Sequence, residues 1–350
     1  MKLYTVGPTE MFSSTLEVAS KQLPYFRTKE FSEIVLKSVD KMKMLLHAKE
    51  NTKIVYITGS GSAAMESVVS NAFDSNDKLL IINGGTFGKR FMKISEIYNI
   101  PFDSIDLEYG EVLEKKHFEG LDLHGYSALL VNIDETSTGQ LYDINLLSNI
   151  CKENNMYLVV DAISSFLADK YNMEEHNVAC TILSSQKALA LSPGLSILAL
   201  DENFYNKKIK NKKPINLYLN INEHIKDMER GQTPNTPAVG IILELADRVE
   251  KISTAEEEVA RVEANAKYFR KLALDNGLKI PSYPISNAVT PIILEKGNAN
   301  EVFNYLKDKY DIFVNPTGGP LSNKILRISH LGNLKAEDYD ELIEKMKEVL

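Results

Sequence analysis

The sequence predicts an α/β protein whose mostly parallel sheet is covered by helices on both faces. Three observations carry that expectation. Short apolar runs alternate with helical patterns through the first two hundred or so residues. The runs are continuously apolar instead of alternating in polarity, as strands buried on both faces require. Small-residue turns, Gly59-Ser60-Gly61 and Asn83-Gly84-Gly85, follow two of the runs directly, where a strand would hand over to a helix.

Taken in order, Leu3 to Thr9 reads as an extended arm ending in the Gly7-Pro8 turn. A helix is expected over 32–47, where Ile34, Val35, Val39, Met42, Leu45 and Leu46 recur at three- and four-residue steps. Strands follow at 54–57 and 79–82, each leading through its glycine turn into a helix, over 62–73 and 89–98. Residues 128–133 form the next strand, 145–154 a helix, and 157–160 a strand that ends at Asp161. Strands at 180–183 and 195–200 flank the segment Ser184-Ser185-Gln186-Lys187-Ala188 and the Pro193-Gly194 turn.

Beyond these, 207–213 is rich in lysine and asparagine and reads as a solvated excursion. The stripe Ile241, Ile242, Leu245, Val249, Ile252, Val259 and Val262 predicts one long helix from Val239 to about Leu274. The remainder predicts a small α/β unit. It has a strand at 289–294, a helix over 299–309, a strand pair at 312–314 and 325–328, and a terminal helix from Ala336.

Composition excludes several classes of function. A net charge of −8 argues against a nucleic-acid binder, which would carry a basic face. Two isolated cysteines, Cys151 and Cys180, and six scattered histidines give neither a disulfide framework nor metal-ligand spacing. No metal is expected, and a reducing compartment fits. With no signal-like leader and no apolar run of spanning length, the expectation is a cytoplasmic protein without membrane contact.

Chemistry enters through three places. Thr58-Gly59-Ser60-Gly61-Ser62-Ala63-Ala64 puts small residues at a helix N-terminus, where free backbone N–H groups and the helix dipole favour a phosphate. Alone, the motif is equally an ordinary glycine turn with a serine cap. Asp161 ends a buried strand and alone would pass as a helix cap. Lys187 stands 26 positions later, one helix and one strand on. Alone it would be a surface charge; in a partly dry pocket it becomes a Schiff-base nucleophile. In such sheets the carboxyl ends of the strands share one cleft, so the three converge. A phosphate turn, a carboxylate for a pyridine nitrogen and a Schiff-base lysine are what pyridoxal phosphate needs.

At this point the chain resembles the class V aminotransferases of fold type I, in the alanine–glyoxylate, serine–pyruvate and 2-aminoethylphosphonate–pyruvate group. The resemblance runs nearly end to end. It is carried by Gly7-Pro8-Thr9, Phe26-Arg27-Thr28-Lys29-Glu30-Phe31, Gly59 to Glu66, Asn83-Gly84-Gly85-Thr86-Phe87-Gly88, Glu135-Thr136-Ser137-Thr138-Gly139, Ser185-Gln186-Lys187-Ala188-Leu189, Thr233-Pro234-Asn235-Thr236-Pro237 and Leu326 to Gly332.

The resemblance implies an N-terminal arm (1–14), a large cofactor-binding domain (15–250) with a seven-stranded, mostly parallel sheet, and a small C-terminal α/β domain (251–350). It implies that Ser60, Gly61, Ser62 and Gln186 hold the phosphate of pyridoxal phosphate and that Phe87 stacks on its ring. Thr136 would reach the phenolic oxygen with Thr138 close by. Asp161 would pair with the ring nitrogen and Lys187 would carry the Schiff base. Thr236 would reach the phosphate of the neighbouring subunit, making a homodimer. Arg327 would hold the substrate carboxylate in a bidentate fork.

The implied activity is a ping-pong transfer of an amino group from a small donor of the alanine or serine type to a 2-oxo acid such as glyoxylate or pyruvate. A 2-aminoethylphosphonate donor is the alternative, and it would need a further cation such as Arg27 or Arg90. A desulfurase-like lyase would need a late cysteine, and none follows Cys180. A non-catalytic cofactor binder is disfavoured by intact Lys187, Asp161 and Arg327.

Overall fold

The computed structural model describes residues 1–350 apart from the side chain of Pro320. In chain order, a short strand β1 (Lys2–Leu3) precedes helices α1 (Ser13–Ala19) and α2 (Lys29–Leu45). Then come β2 (Lys53–Thr58), α3 (Gly61–Ala72), β3 (Leu79–Asn83), α4 (Thr86–Ile97), β4 (Phe102–Asp106) and β5 (Ala128–Asn132). A small hairpin, β6 (Asp134–Glu135) and β7 (Gln140–Leu141), leads to α5 (Ile144–Asn154), β8 (Tyr157–Asp161), β9 (Val178–Ser184) and β10 (Leu195–Leu200). One turn of helix, α6 (Glu202–Phe204), is followed by α7 (Ile221–Met228), α8 (Val239–Glu250) and α9 (Ala255–Asp275). The chain ends with β11 (Val289–Ile293), α10 (Ala299–Tyr310), β12 (Ile312–Phe313), β13 (Asn315–Pro316), β14 (Ile325–Ser329) and α11 (Ala336–Lys347).

The main sheet has seven strands in the order β2-β10-β9-β8-β5-β3-β4, and only β10 runs against its neighbours. Its continuous apolar runs feed two cores at once. On one face Tyr56, Ile82, Leu129, Val131, Val160 and Ile197 pack under α2, α5 and α8. On the other, their strand neighbours Ile57, Ile81, Leu130, Val159, Ile182 and Leu198 pack under α3, α4 and α7. Each such aliphatic side chain contributes about 1.5–3 kcal/mol by leaving water, so a polar replacement on either face is costly. A third core, around Tyr4, Phe269, Leu306, Leu326, Ile328 and Tyr339, fills the C-terminal sheet β11-β14-β13 and the helices against it. Among the described residues no helix is long and apolar enough to cross a membrane.

Several expectations need correction. The long helix is two helices. Thr254 stops the first register and caps the second, its hydroxyl accepting from the Glu257 amide at 3.2 Å. The stripe continues across the break because Ile252 is itself buried between the helices. The segment 207–213 is anchored: Ile209 is buried, Lys208 bonds the buried Asp77, and Lys212 pairs with Asp74 at 2.6 Å. Residues 312–314 do not pair with 325–328. β12 pairs in parallel with β1, and β13 lies beside β14 instead. The edge strand β4 and helices α1 and α7 have no counterpart in the sequence reading. β4 (Phe-Asp-Ser-Ile-Asp) has one apolar residue towards each core, Phe102 and Ile105, separated by polar ones, and so lacks a continuous apolar run.

Candidate active site

β2, β5, β8 and β9 end on one side of the main sheet, and a cavity of about 290 Å³ opens there. It is lined by Gly7, Ser60, Gly61, Ser62, Phe87, Arg90, Asn132, Thr136, Asp161, Ile163, Ser164, Gln186 and Lys187. Ser60 is the N-cap of α3 in extended conformation, yet its side chain caps nothing. Its hydroxyl and the first amides of α3 thus face the cavity as free donors beside the positive end of the helix. Gly61 is packed so closely against Ile163 that a Cβ would collide with it.

Asp161, the last residue of β8, lies in register with Asn132 at the end of β5. Asn132 Nδ2 donates to Asp161 Oδ2 at 3.3 Å, and the Ile163 amide donates to Oδ1 at 3.0 Å. Burial pushes the Asp161 carboxyl up to about 6, against the pull of the Ile163 amide and the Lys187 charge. A cationic ring nitrogen beside it would restore the carboxylate, so the residue fits that partner.

Lys187 follows β9 by three residues. The turn that carries it is tied at both ends: the Ser185 amide donates to Leu195 O at 2.9 Å and the Ser185 hydroxyl to Ser192 O at 2.7 Å. Thr9 of the N-terminal arm donates to Lys187 O at 3.0 Å. A Cβ on Gly7 would meet Lys187 Cδ at 2.8 Å, so a side chain there would displace the lysine the arm passes over. Burial pushes the amine down to about 8, which provides free base near neutrality.

Phe87 and Arg90 both come from the first turns of α4, whose N-cap is Gly85. Glu135 lies so close to Gly85 that a Cβ there would strike its carboxyl group. That carboxylate accepts from the Phe87 amide at 3.2 Å and from the Ser137 hydroxyl at 2.6 Å, locking the α4 start to the 135–139 turn. The Arg90 guanidinium lies 4.9 Å from the Phe87 ring centroid and donates to Ser62 Oγ at 2.8 Å. Arg327, on β14, does not line the cavity itself. It donates to Thr136 O at 2.7 Å and to Pro316 O at 3.2 Å, while its Nε is buried without a partner.

Residues 11–338 match the class-V aminotransferase family. The chain belongs to it. An uncharacterized aminotransferase of Methanocaldococcus jannaschii is 30% identical over 337 residues, covering 93% of this chain and 86% of that protein. The alanine–glyoxylate aminotransferase of Rattus norvegicus is 24% identical over 357 residues, covering 98% and 86%. Among solved structures, an aspartate aminotransferase of subgroup IV from Thermus thermophilus superposes with a TM-score of 0.91 at 26% identity over 100% of both chains. The fold is that of the fold type I, pyridoxal-phosphate-dependent aminotransferases, and the family implies that cofactor.

In this class-V aminotransferase the structure gathers Ser60, Gly61, Ser62, Phe87, Thr136, Asp161, Gln186 and Lys187 around one cavity. Thr236 is exposed and lies outside the cavity of its own chain. Thr138 is spent on the turn, its hydroxyl donating to Glu135 O at 3.1 Å. Of the two arginines considered for a second acid group, Arg90 lines the cavity. Arg27 is turned to Gln232 and Thr233, each at 3.0 Å.

The sequence reading missed Asn132, Ser164 and Glu135. Asn132 carries a readable signal: a polar residue closing the buried apolar strand β5, as Asp161 closes β8. Ser164 has none, since its place depends on how the loop after β8 folds back.

Proposed function

We propose that this aminotransferase moves an amino group from a small donor of the alanine or serine type to a 2-oxo acid such as glyoxylate or pyruvate, by a ping-pong mechanism. The observation that carries the reading is one cavity holding the free α3 N-terminus, the buried Asp161 and the Lys187 amine. Ser60, Gly61, Ser62 and Gln186 hold the phosphate, Phe87 covers the ring, Thr136 reaches its phenolic oxygen, and Asp161 pairs with its nitrogen. When bound, pyridoxal phosphate supplies an electron sink for the carbon that carries the amino group.

Lys187 anchors the cofactor and, once displaced by the donor, its amine takes the proton from the donor's Cα and returns it on the cofactor side. An amine held near 8 suits both duties, since it is neither locked as ammonium nor too weak a base. Arg327 binds the substrate carboxylate. Its two Nη groups donate to Thr136 O and Pro316 O, which sets the orientation of the guanidinium before substrate arrives. The donor and acceptor therefore need one carboxylate and little else. The relatives named above include an alanine–glyoxylate enzyme, which is consistent with substrates of that size.

A second reading rests on Arg90, a guanidinium inside the cavity. It favours 2-aminoethylphosphonate as donor if the arginine faces the substrate and not only Ser62. Residues 1–14 would act as an arm, 15–250 as the cofactor domain and 251–350 as the small domain. A homodimer would complete each site with Thr236 of the other chain. The outward Ile215, Leu217 and Tyr218, with Leu217 87% exposed, are the kind of surface a second copy covers.

The test is a half-reaction screen. The visible band of the bound cofactor is followed against alanine, serine, 2-aminoethylphosphonate and phosphoserine. Rapid loss with alanine or serine supports the main reading, and a response confined to the phosphonate selects the second. Silence towards all four would overturn both.

A further inference from the structure

Lys187 and Arg90 are the cations among the residues lining the cavity, and Lys187 is committed to the imine. Arg90 stands one turn after Phe87 on α4, with its guanidinium carbon 4.9 Å from the Phe87 ring centroid. A guanidinium laid against a ring is held in orientation as well as in place. From there Nη1 donates to Ser62 Oγ at 2.8 Å, reaching across from α4 to the first turn of α3.

That bond fixes what Ser62 can do. Its oxygen already accepts from Arg90, and among the described residues its own hydroxyl hydrogen has no acceptor. Gln186 is arranged in the same sense. Its Oε1 accepts from Ser184 Oγ at 2.5 Å, which leaves the amide N–H groups for the cavity. With the uncommitted hydroxyl of Ser60, three neutral donors surround the α3 N-terminus. The helix end adds about half a positive charge. A phosphate monoester carries about −1.5 to −2 near neutrality, so these groups leave part of it uncompensated. Arg90 has four further N–H groups beside the one given to Ser62, and is the lining cation able to make up the difference.

We propose that Arg90 is a cofactor-binding residue: its guanidinium supplies counter-charge to the phosphate and, through Ser62, aims a hydroxyl donor at it. The proposal rests on the cavity being the pyridoxal phosphate site and adds the cation such a site requires. It leaves Arg327 as the carboxylate fork for the substrate and withdraws the cation that a phosphonate donor would use.

The test compares two aldehydes on the full chain freed of cofactor. Pyridoxal 5'-phosphate and pyridoxal both form the imine with Lys187, but only the first carries the phosphate. Binding of each is read from the imine absorbance. Arg90→Gln should raise the dissociation constant of pyridoxal phosphate about 10- to 100-fold and that of pyridoxal less than about twofold. Arg90→Lys keeps the charge without the stacked fork and should fall between. Inorganic phosphate should compete with pyridoxal phosphate for the wild type and far less for Arg90→Gln.

Should Arg90→Gln fail to fold, phenylglyoxal modification of the wild-type, cofactor-free chain carries the test. Read by mass at the Arg90 peptide, it should be slowed by inorganic phosphate; equal rates with and without phosphate would overturn the proposal. An equal loss for both aldehydes would also overturn it, making Arg90 a support for Phe87 alone. So would unchanged binding of pyridoxal phosphate with a lost response to 2-aminoethylphosphonate, which would place the arginine on the substrate. A wild type that binds neither aldehyde would instead overturn the cofactor reading itself, and the role of Arg90 with it.

Discussion

Arg327 Nη1 donates to the carbonyl oxygen of Thr136 at 2.7 Å, joining two residues 191 positions apart in the chain. The bond ties the C-terminal sheet to the turn after β6, so the arginine's orientation is set by the scaffold before any substrate arrives. Arg327→Lys keeps a positive charge but loses the fork and both carbonyl anchors. Losing one charge-assisted hydrogen bond to a carboxylate costs about 1.5–3 kcal/mol, so KM for carboxylate donors should rise about 10- to 100-fold. Amines without a carboxylate should be nearly unaffected. An equal loss for both kinds of donor would remove Arg327 from substrate binding.

Lys187 and Thr236 can be tested together through the proposed dimer. Lys187→Ala should abolish both the imine absorbance and turnover, because no other amine lines the cavity. Thr236→Ala should weaken retention of the cofactor. A mixed dimer of the two variants contains one site with Lys187 from one chain and Thr236 from the other. If Thr236 serves the neighbouring site, mixing should restore tight cofactor binding and activity to one site in each mixed dimer, about a quarter of all sites after random exchange. No restoration after verified subunit exchange would place Thr236 outside the site.

Asp134 is fully buried and should mark the pH dependence of stability. Its folded value of about 8 lies above the ordinary 3.8, so between those values the folded chain keeps a proton that the unfolded chain has lost. The stability from that proton is fully present below about 3.8 and is lost as pH rises towards 8. Lys187 acts in the opposite sense at higher pH. Its folded value of about 8 is below 10.5, so folding sheds a proton and stability recovers as pH rises through that window. Asn cannot ionise, so Asp134→Asn should gain on the wild type from pH 4 to 8 by several kcal/mol. Urea unfolding of the cofactor-free chain at several pH values measures this, and a flat difference would count against a buried neutral carboxyl.

How much of this was legible depends on whether a feature is local. β2, β3, β5, β8 and β9 were readable because each is buried on both faces and so continuously apolar. Ser60-Gly61-Ser62 and Lys187 were readable because small residues and a lone charge stand out at the ends of such runs. Asp134 was not, since its chemistry lies in what surrounds it: an aspartate before Glu135 looks like any loop acid until both of its oxygens prove buried. β12 was mispaired because Ile312-Phe313-Val314 is apolar enough for either neighbour. The choice is made by the N-terminal arm, whose Lys2 and Tyr4 amides donate to Asp311 O at 2.9 Å and Phe313 O at 2.8 Å.

The break between α8 and α9 offers a last prediction, because an unbroken apolar stripe concealed it. Two interactions hold the second helix at its start. Thr254 caps the Glu257 amide, and Glu258 in the first turn bonds the buried Arg248 and also Arg261 at 2.8 Å. Glu258 gains from the helix dipole as well, being acidic at an N-terminus. Thr254→Ala removes only the cap and should cost about 1 kcal/mol. Glu258→Gln leaves Arg248 buried without its counter-charge and should cost about 3 kcal/mol or more. Ser253→Ala, which touches neither interaction, should be silent. Chemical denaturation of the three variants should return that order. If Thr254→Ala proved as harmless as Ser253→Ala, the sequence stripe would be the truer guide and the cap would not be what sets the break.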